Sequence, residues 1–153
     1  MNLQDKLLSS YLAFQENLDI SNPMSELRDK AIRNFEVQGF PTKKEENWKY
    51  TSLNSIIKND FSLTPSKEDT IEFKDVKKYF IHDLDTYNIV FIDGVYSSYL
   101  SETTHDGVDI CLLSSALNKA KYKPVIDVYY NKIARENSLT SLNTAFAKEG
   151  AYI

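Results

Sequence analysis

Asn88-Ile89-Val90-Phe91-Ile92-Asp93-Gly94-Val95-Tyr96-Ser97-Ser98-Tyr99 is the stretch whose reading decides the fold class. Its opening residues are β-branched and apolar, which suits a pleated, half-buried surface. Asp93-Gly94 is a dipeptide that accepts the left-handed backbone of a two-residue turn, and the residues after it alternate. The pattern predicts a β-hairpin. Helical sequence lies on both sides of it, so the chain reads as α+β.

Downstream, Asp106-Gly107 predicts another turn before a strand over 108–113. Ser114 is placed to cap a helix running through Ala116, Leu117 and Ala120. Pro124 suits the first turn of an amphipathic helix carrying Val125, Val128, Tyr129, Lys132 and Ile133. Leu139, Leu142, Ala145 and Phe146 predict a further helical segment closed by Gly150, and Ala151-Tyr152-Ile153 reads as the first half of a strand. A chain that stops on the opening residues of an apolar strand is expected to be the N-terminal piece of a longer protein.

Upstream, Leu3, Leu7, Tyr11, Phe14 and Leu18 recur at three- and four-residue steps and predict a first helix. A second helix is expected to be capped by Asn22, with Pro23 at its first position and Met24, Leu27, Ala31 and Phe35 as its apolar stripe. Gly39 supplies a left-handed stop and Pro41 forbids continuation. Thr42-Lys43-Lys44-Glu45 has the form of a capping box, and Trp48 is expected to be largely buried behind it. Ile56 and Ile57 stand at helical spacing. Residues 59–75 read as a surface loop, with a short helix around Val76, Tyr79 and Phe80. These readings divide the chain into a helical region, 1–85, and a mixed β/α segment, 86–153. The helices up to about residue 80 are expected to pack apart from that later segment.

Composition narrows the classes. The chain has 153 residues, with 22 acidic and 18 basic side chains and a formal charge of −4. Val, Ile, Leu and Phe make up 42 of the 153, enough for a core and above the roughly 20 per cent below which chains stay disordered. No apolar run approaches the roughly 20 residues of a membrane helix, and no basic head precedes an apolar stretch at the N-terminus. One cysteine excludes an intrachain disulfide and a Cys-rich zinc cage. The expected setting is the cytoplasm, without membrane or nucleic-acid partners.

Candidate chemistry is sparse. There is no Gly-rich phosphate loop, no Gly-X-Ser-X-Gly and no His-Glu-X-X-His. His82-Asp83 and His105-Asp106 could each imitate an oriented imidazole, but both stand in turn-like polar sequence. Cys111 could be a nucleophile, yet Val108-Asp109-Ile110-Cys111-Leu112-Leu113 lacks the basic neighbours that stabilise a thiolate, which favours the role of a small buried hydrophobe. Glu45-Glu46 and Asp83 to Asp85 are adjacent carboxylates that do not face one another as an acid/base pair would. Trp48 with Lys49 and Tyr50 could stack a ligand or base, and Lys119, Lys121 and Lys123 near Tyr122 form a modest basic patch; packing and a solvated helix end account for them. No catalytic, cofactor-binding or metal-binding residue is assigned, and the chain is expected not to be an enzyme.

Four stretches together resemble one family. Gly39-Phe40-Pro41-Thr42-Lys43-Lys44-Glu45-Glu46-Asn47-Trp48-Lys49-Tyr50-Thr51-Ser52-Leu53 is similar to the N-terminal signature of the SufD family, with Asn47 departing from the acidic or small polar residue usual there. The upstream helix with Leu27, Arg28, Ala31 and Phe35 fits the same pattern. Val90-Phe91-Ile92-Asp93-Gly94-Val95-Tyr96 resembles the family's strand, turn and aromatic strand, and Ser138-Leu139-Thr140-Ser141-Leu142-Asn143-Thr144-Ala145-Phe146 with Gly150 resembles the approach to its core. The resemblance implies a scaffold subunit of the SufB–SufC–SufD complex, in which SufC is the ATPase and iron–sulfur clusters form on the SufB–SufD pair. It also implies a parallel β-helix core, truncated here, and no cluster-linked residue in this chain. The alternative is a free-standing cytoplasmic protein-interaction module, and a third reading is a small enzyme using Cys111 or a histidine.

Overall fold

A computed structural model describes residues 2–18, 24–63, 71–102, 104–105, 107–133 and 135–153, excluding the side chains of 104 and 105. In chain order the helices are α1 (Leu3–Glu16), α2 (Ser25–Gln38), α3 (Asn54–Ile57), α4 (Phe73–Val76), α5 (Leu113–Leu117), α6 (Lys123–Tyr129) and α7 (Ser138–Phe146). The strands, two residues each, are β1 (Phe91–Ile92), β2 (Val95–Tyr96), β3 (Thr104–His105), β4 (Val108–Asp109), β5 (Cys111–Leu112) and β6 (Ala151–Tyr152). Tight 3-10 turns occupy Glu46–Trp48 and Lys77–Tyr79. The α+β reading therefore holds. The chain forms two compact units, Met1–Leu63 with Val125–Ala147, and Thr64–Pro124 with Lys148–Ile153, a grouping that differs from a linear division at 85/86.

The first unit is built on α1, α2 and α7. Asn2 caps α1, its side-chain oxygen accepting from the Asp5 N–H at 2.8 Å. At the N-cap and along α2, Met24, Ala31 and Phe35 of the predicted stripe are buried while Leu27 is only half-buried, and Arg28 and Ile32 join the buried face. Asn22 and Pro23 lie outside the described residues. Gly39 ends α2 at φ 65°, ψ −163°, where a side chain is strained, and its N–H donates to the Phe35 carbonyl at 2.7 Å. Tyr11, Ala31, Ile32, Phe35 and Ala145 form the core cluster, with Leu7, Leu8, Phe14, Phe40, Leu142 and Phe146 against it. Its rings interlock: Phe146 meets Tyr11 edge-on at 5.8 Å and Phe40 meets Phe35 edge-on at 5.2 Å. Each fully buried side chain of this kind contributes about 1.5–3 kcal/mol.

α7 packs on α2, which corrects the expectation that the early helices pack apart from the later segment. Its cap is Asn137, whose side-chain oxygen accepts from the Leu139 and Thr140 N–H groups, both at 3.0 Å, while the Thr140 hydroxyl accepts from the Asn137 N–H. The helix ends at Phe146, four residues before Gly150, so Gly150 does not close it. On α6 it is Ile126 that is buried; Val125, Val128 and Tyr129 are exposed. Asn131, at φ 58°, breaks the helix before Lys132 and Ile133 can join that face.

The second unit contains the predicted hairpin. β1 and β2 pair antiparallel, Phe91 opposite Tyr96 and Ile92 opposite Val95. Asp93 and Gly94 both have positive φ, 48° and 79°, as a two-residue turn matched to strand twist requires. Two further backbone bonds extend the ribbon: Ser97 N–H to the Val90 carbonyl at 2.9 Å and Glu102 N–H to the Asn88 carbonyl at 2.8 Å. The single strand expected over 108–113 is instead divided. β4 pairs with β3, β5 pairs with β6, and Leu113 already begins α5.

Ser114 sits inside α5 and does not cap it; the capping acceptor is the Glu149 carboxylate, which accepts from the Ser114 N–H at 3.0 Å and from its hydroxyl. α4 opens at Phe73, inside the predicted loop 59–75, and continues through the Lys77–Tyr79 turn; residues 64–70 of that loop lie outside the described residues. All three strand pairs are antiparallel, and no parallel β-helix occurs among the described residues.

Candidate functional site

In the first unit the Glu45 carboxylate accepts from the Thr42 N–H at 2.8 Å, as a capping box requires, and the 3-10 turn Glu46–Trp48 comes directly after it. Trp48 is partly exposed on that turn, where it was expected to be largely buried. Tyr50 is 88% exposed, with the Lys49 ammonium 5.5 Å from its ring centre. A contact of that kind in solvent contributes about 0.5–1 kcal/mol and builds no enclosed site. Glu46 is solvated.

In the second unit His82, Asp83 and Asp85 are exposed on a turn. The His105 side chain and Asp106 lie outside the described residues. Cys111, on β5 opposite Tyr152, is half-buried, so it is more open than a core hydrophobe. The Tyr122 ring lies on Tyr152 at 4.7 Å, with the ammonium groups of Lys121 and Lys119 at 5.1 and 5.7 Å from its centre. Lys121 bonds to Asp109, which holds that carboxyl below its usual range and raises the lysine. Desolvation, with Asp109 beside it, pushes the Tyr122 phenol up. This patch spends its charge on an internal pair and on stacking.

One group was missed in the sequence. Arg28 is 3% exposed, and its Nε and Nη2 donate to the Ala147 carbonyl at 2.9 and 2.7 Å. Nη1 is buried and has no hydrogen-bond partner among the described residues. Desolvation lowers the Arg28 pKa. The guanidinium thus binds the carbonyl end of α7, where the helix dipole favours a cation. The signal was available: position 28 falls four residues after Met24 and seven before Phe35, on the buried face. Nearby in the same unit, a polar cleft of about 380 Å³ lies among α2, α6 and α7. Its walls mix Lys30 and Lys132 with Asp127 and Glu136, together with the hydroxyls of Ser141 and Thr144.

No group of three or more His, Cys, Asp or Glu among the described residues could hold a metal ion. No described helix is long and apolar enough to cross a membrane. The hydrogen-bonding side chains of this chain cap helices, close turns and tie α7 to α2; the class they define is a small α+β module stabilised by helix packing and short hairpins. The chain matches the SufBD protein N-terminal region over residues 1–153, and it belongs to that family. It is also 35% identical over 71 residues to the iron-sulfur cluster assembly protein SufD of Escherichia coli strain K12. That match covers 43% of this chain and 15% of the relative, so most of the relative's length has no counterpart here. The family belongs to iron–sulfur cluster assembly.

Proposed function

We propose that this chain is the N-terminal region of a SufD-like scaffold subunit acting with SufB and SufC, architectural and not catalytic. The observation that carries the reading is the family match across the whole chain, joined to an internal logic in which the polar side chains serve capping and packing. In this reading the cluster is cargo, assembled by the complex in the cytoplasm and held by other segments, including a parallel β-helix core. Clusters are held by several cysteine thiolates, with histidine as an occasional substitute. The residues here do not fit that requirement: Cys111 is the only cysteine, and it lies half-buried on a short strand.

The test is a graft. This chain replaces the corresponding region of the Escherichia coli relative, which is co-expressed with SufB and SufC and examined by size exclusion and by maturation of an iron–sulfur reporter enzyme. The expected result is a complex that assembles and matures the reporter. The reading fails if the complex works equally well with the region deleted. It also fails if the isolated chain, reconstituted anaerobically with ferrous iron and sulfide, retains stoichiometric iron that Cys111→Ala abolishes.

A further inference from the structure

Two sets of closing bonds meet at one peptide, Ala147–Lys148, where the chain passes from the first unit into the second. On the earlier side, α7 is held by bonds made within the first unit. Arg28 donates twice to the Ala147 carbonyl, Asn34 to the Ser141 hydroxyl, and the Thr144 hydroxyl to the Asn131 side-chain carbonyl at 3.2 Å. On the later side, Lys148–Ile153 closes the second unit as a strap. The Glu149 carboxylate accepts from the N–H and the hydroxyl of Ser114, and the Gly150 N–H, at 3.0 Å, fixes its orientation. The Leu113 N–H donates to the Gly150 carbonyl at 2.8 Å, β6 pairs with β5, and the Tyr152 ring lies on Tyr122. All of these later contacts stay within the second unit.

The two units are unequally supported. The core cluster of Tyr11, Ala31, Ile32, Phe35 and Ala145 belongs entirely to the first. The buried apolar side chains of the second, among the described residues, are Leu100, Ala116 and Leu117, and its strands are two residues long. Two-stranded ribbons are marginal in water, and small bodies usually need staples such as disulfides. One cysteine makes no intrachain disulfide. Folded proteins open in contiguous bodies whose free energies run from near zero to the global value, and few buried apolar contacts mark the low end. None of the bonds that hold α7 includes a residue of the second unit, so opening that unit breaks none of them.

We propose that the second unit opens as one body while the helical unit stays folded, with Lys148–Ile153 as its strap and Glu149 as the latch. Opening parts β6 from β5 and the hairpin strands from each other, and leaves α1, α2 and α7 packed as before. The elements that move in a protein are drawn from bodies of this low-stability kind. The inference stands on where the closing bonds are made and does not depend on the Suf assignment.

The test is hydrogen exchange of the whole, isotope-labelled chain in urea below its global transition, read amide by amide. The N–H groups of Ser97, Glu102 and Leu113, each in a backbone hydrogen bond, report the second unit. Those of Ile32 and Phe35 in α2 and Ala145 in α7 report the first. The expected result is that the second-unit amides exchange through one opening with a shared urea dependence, and are at least about tenfold less protected than the first-unit amides. Glu149→Ala should speed exchange at Ser97, Glu102 and Leu113 by one common factor, about two- to thirtyfold for the loss of a cap, and leave Ile32, Phe35 and Ala145 unchanged. Tyr152→Ala, which removes the ring on Tyr122, should do the same with the carboxylate intact. A variant whose second unit loses all protection while the first keeps its own would equally support the proposal. One opening shared by all six amides would overturn it. So would urea-independent exchange in the second unit, a Glu149→Ala effect confined to Leu113, which is fraying of the strap alone, or an effect that reaches Ala145.

Discussion

Gly39→Ala tests the junction on which the first unit turns. The backbone at Gly39, φ 65° and ψ −163°, lies in a region that is essentially glycine's alone, and forcing another residue there costs about 1–3 kcal/mol. A second cost comes from α1. A Cβ at this position would stand 2.9 Å from the Gln4 Oε1, so the end of that side chain must move. Its movement gives up the bond from the Gln4 amide to the Glu36 carbonyl, 3.3 Å and exposed, which is worth about 0.5–1.5 kcal/mol at most. Together they put the expected loss at about 2–4 kcal/mol.

The assay is urea unfolding monitored by the fluorescence of Trp48, the chain's single tryptophan, which belongs to the same unit. Gln4→Ala alone should cost about 1 kcal/mol or less. In that background Gly39→Ala should still cost the backbone share, about 1–3 kcal/mol. Gly150→Ala is the control: its φ is not positive and the added methyl would meet Leu113 at 3.6 Å, ordinary contact, so its effect should stay within about 0.5 kcal/mol. The reasoning is refuted if Gly39→Ala unfolds like the parent, or if its cost vanishes once Gln4 is removed, since strain cannot be relieved by trimming a neighbour.

Phe35, fully buried and in edge contact with Phe40, should lose about 3–5 kcal/mol on truncation to Ala, read from the same unfolding curves. Tyr11 is buried and donates to the Asp29 carboxylate at 2.8 Å; desolvation first, and that hydrogen bond second, push its phenol well above the ordinary value near 10. The unfolded chain therefore releases this proton first, so Tyr11's contribution is fully present below pH 10 and is lost as pH rises towards the folded value, at up to about 1.4 kcal/mol per pH unit. Unfolding free energies measured from pH 9 to 11 should show that slope, and Tyr11→Phe should flatten it. Glu149→Ala should cost about 0.5–2 kcal/mol by uncapping α5 and raise amide exchange at Ser114; unchanged exchange would show that Glu149 does not act as the cap.

The features legible in the sequence were those that neighbouring residues decide. Asp93-Gly94 takes positive φ because two adjacent residues suffice to specify such a turn, and Gly39 with Pro41 ends α2 for the same reason. Asn137 was equally local, with Thr140 three residues on, and its cap could have been found by the rule applied to Thr42 and Glu45. The misreadings have distant causes. Ser114 looks like a cap until Glu149, 35 residues later, takes that place. The burial of Ile126 in place of Val125 and Val128 is set by what α6 meets in three dimensions, which helical spacing leaves open. Arg28 was named in the sequence only as part of the family-like helix, and its burial could not be read there because its acceptor is 119 residues away. The candidate chemical groups were read from local context too: His82 is exposed as that context implies, whereas Cys111 is half-buried and more open than the buried hydrophobe expected.

The long-range bonds also explain why a boundary drawn along the chain could not capture the contacts. The core of α1 and α2 is completed by α7: Ala145 is fully buried in the cluster with Phe35, and Phe146 closes the ring contacts with Tyr11 and Phe14. Asn34 donates to the Ser141 hydroxyl at 2.7 Å, and Arg28 holds Ala147 at the point where the chain leaves this unit. Without residues 138–147, the faces of α1 and α2 that carry Phe35, Ala31 and Tyr11 would be left in water, and helices of 14 residues gain most of their stability from such packing. The second unit is therefore an excursion from a helical unit that is complete only when its last helix returns. The buried Arg28 belongs to that closure: two of its nitrogens satisfy the carbonyl end of α7, while the third has no partner among the described residues. A desolvated cation with an unmatched donor is costly to keep. Its bonds to Ala147 recover part of that cost only when α7 is in register, so misplacing α7 would leave the whole guanidinium unpaired and make the alternative pairings of helices less stable than the native one.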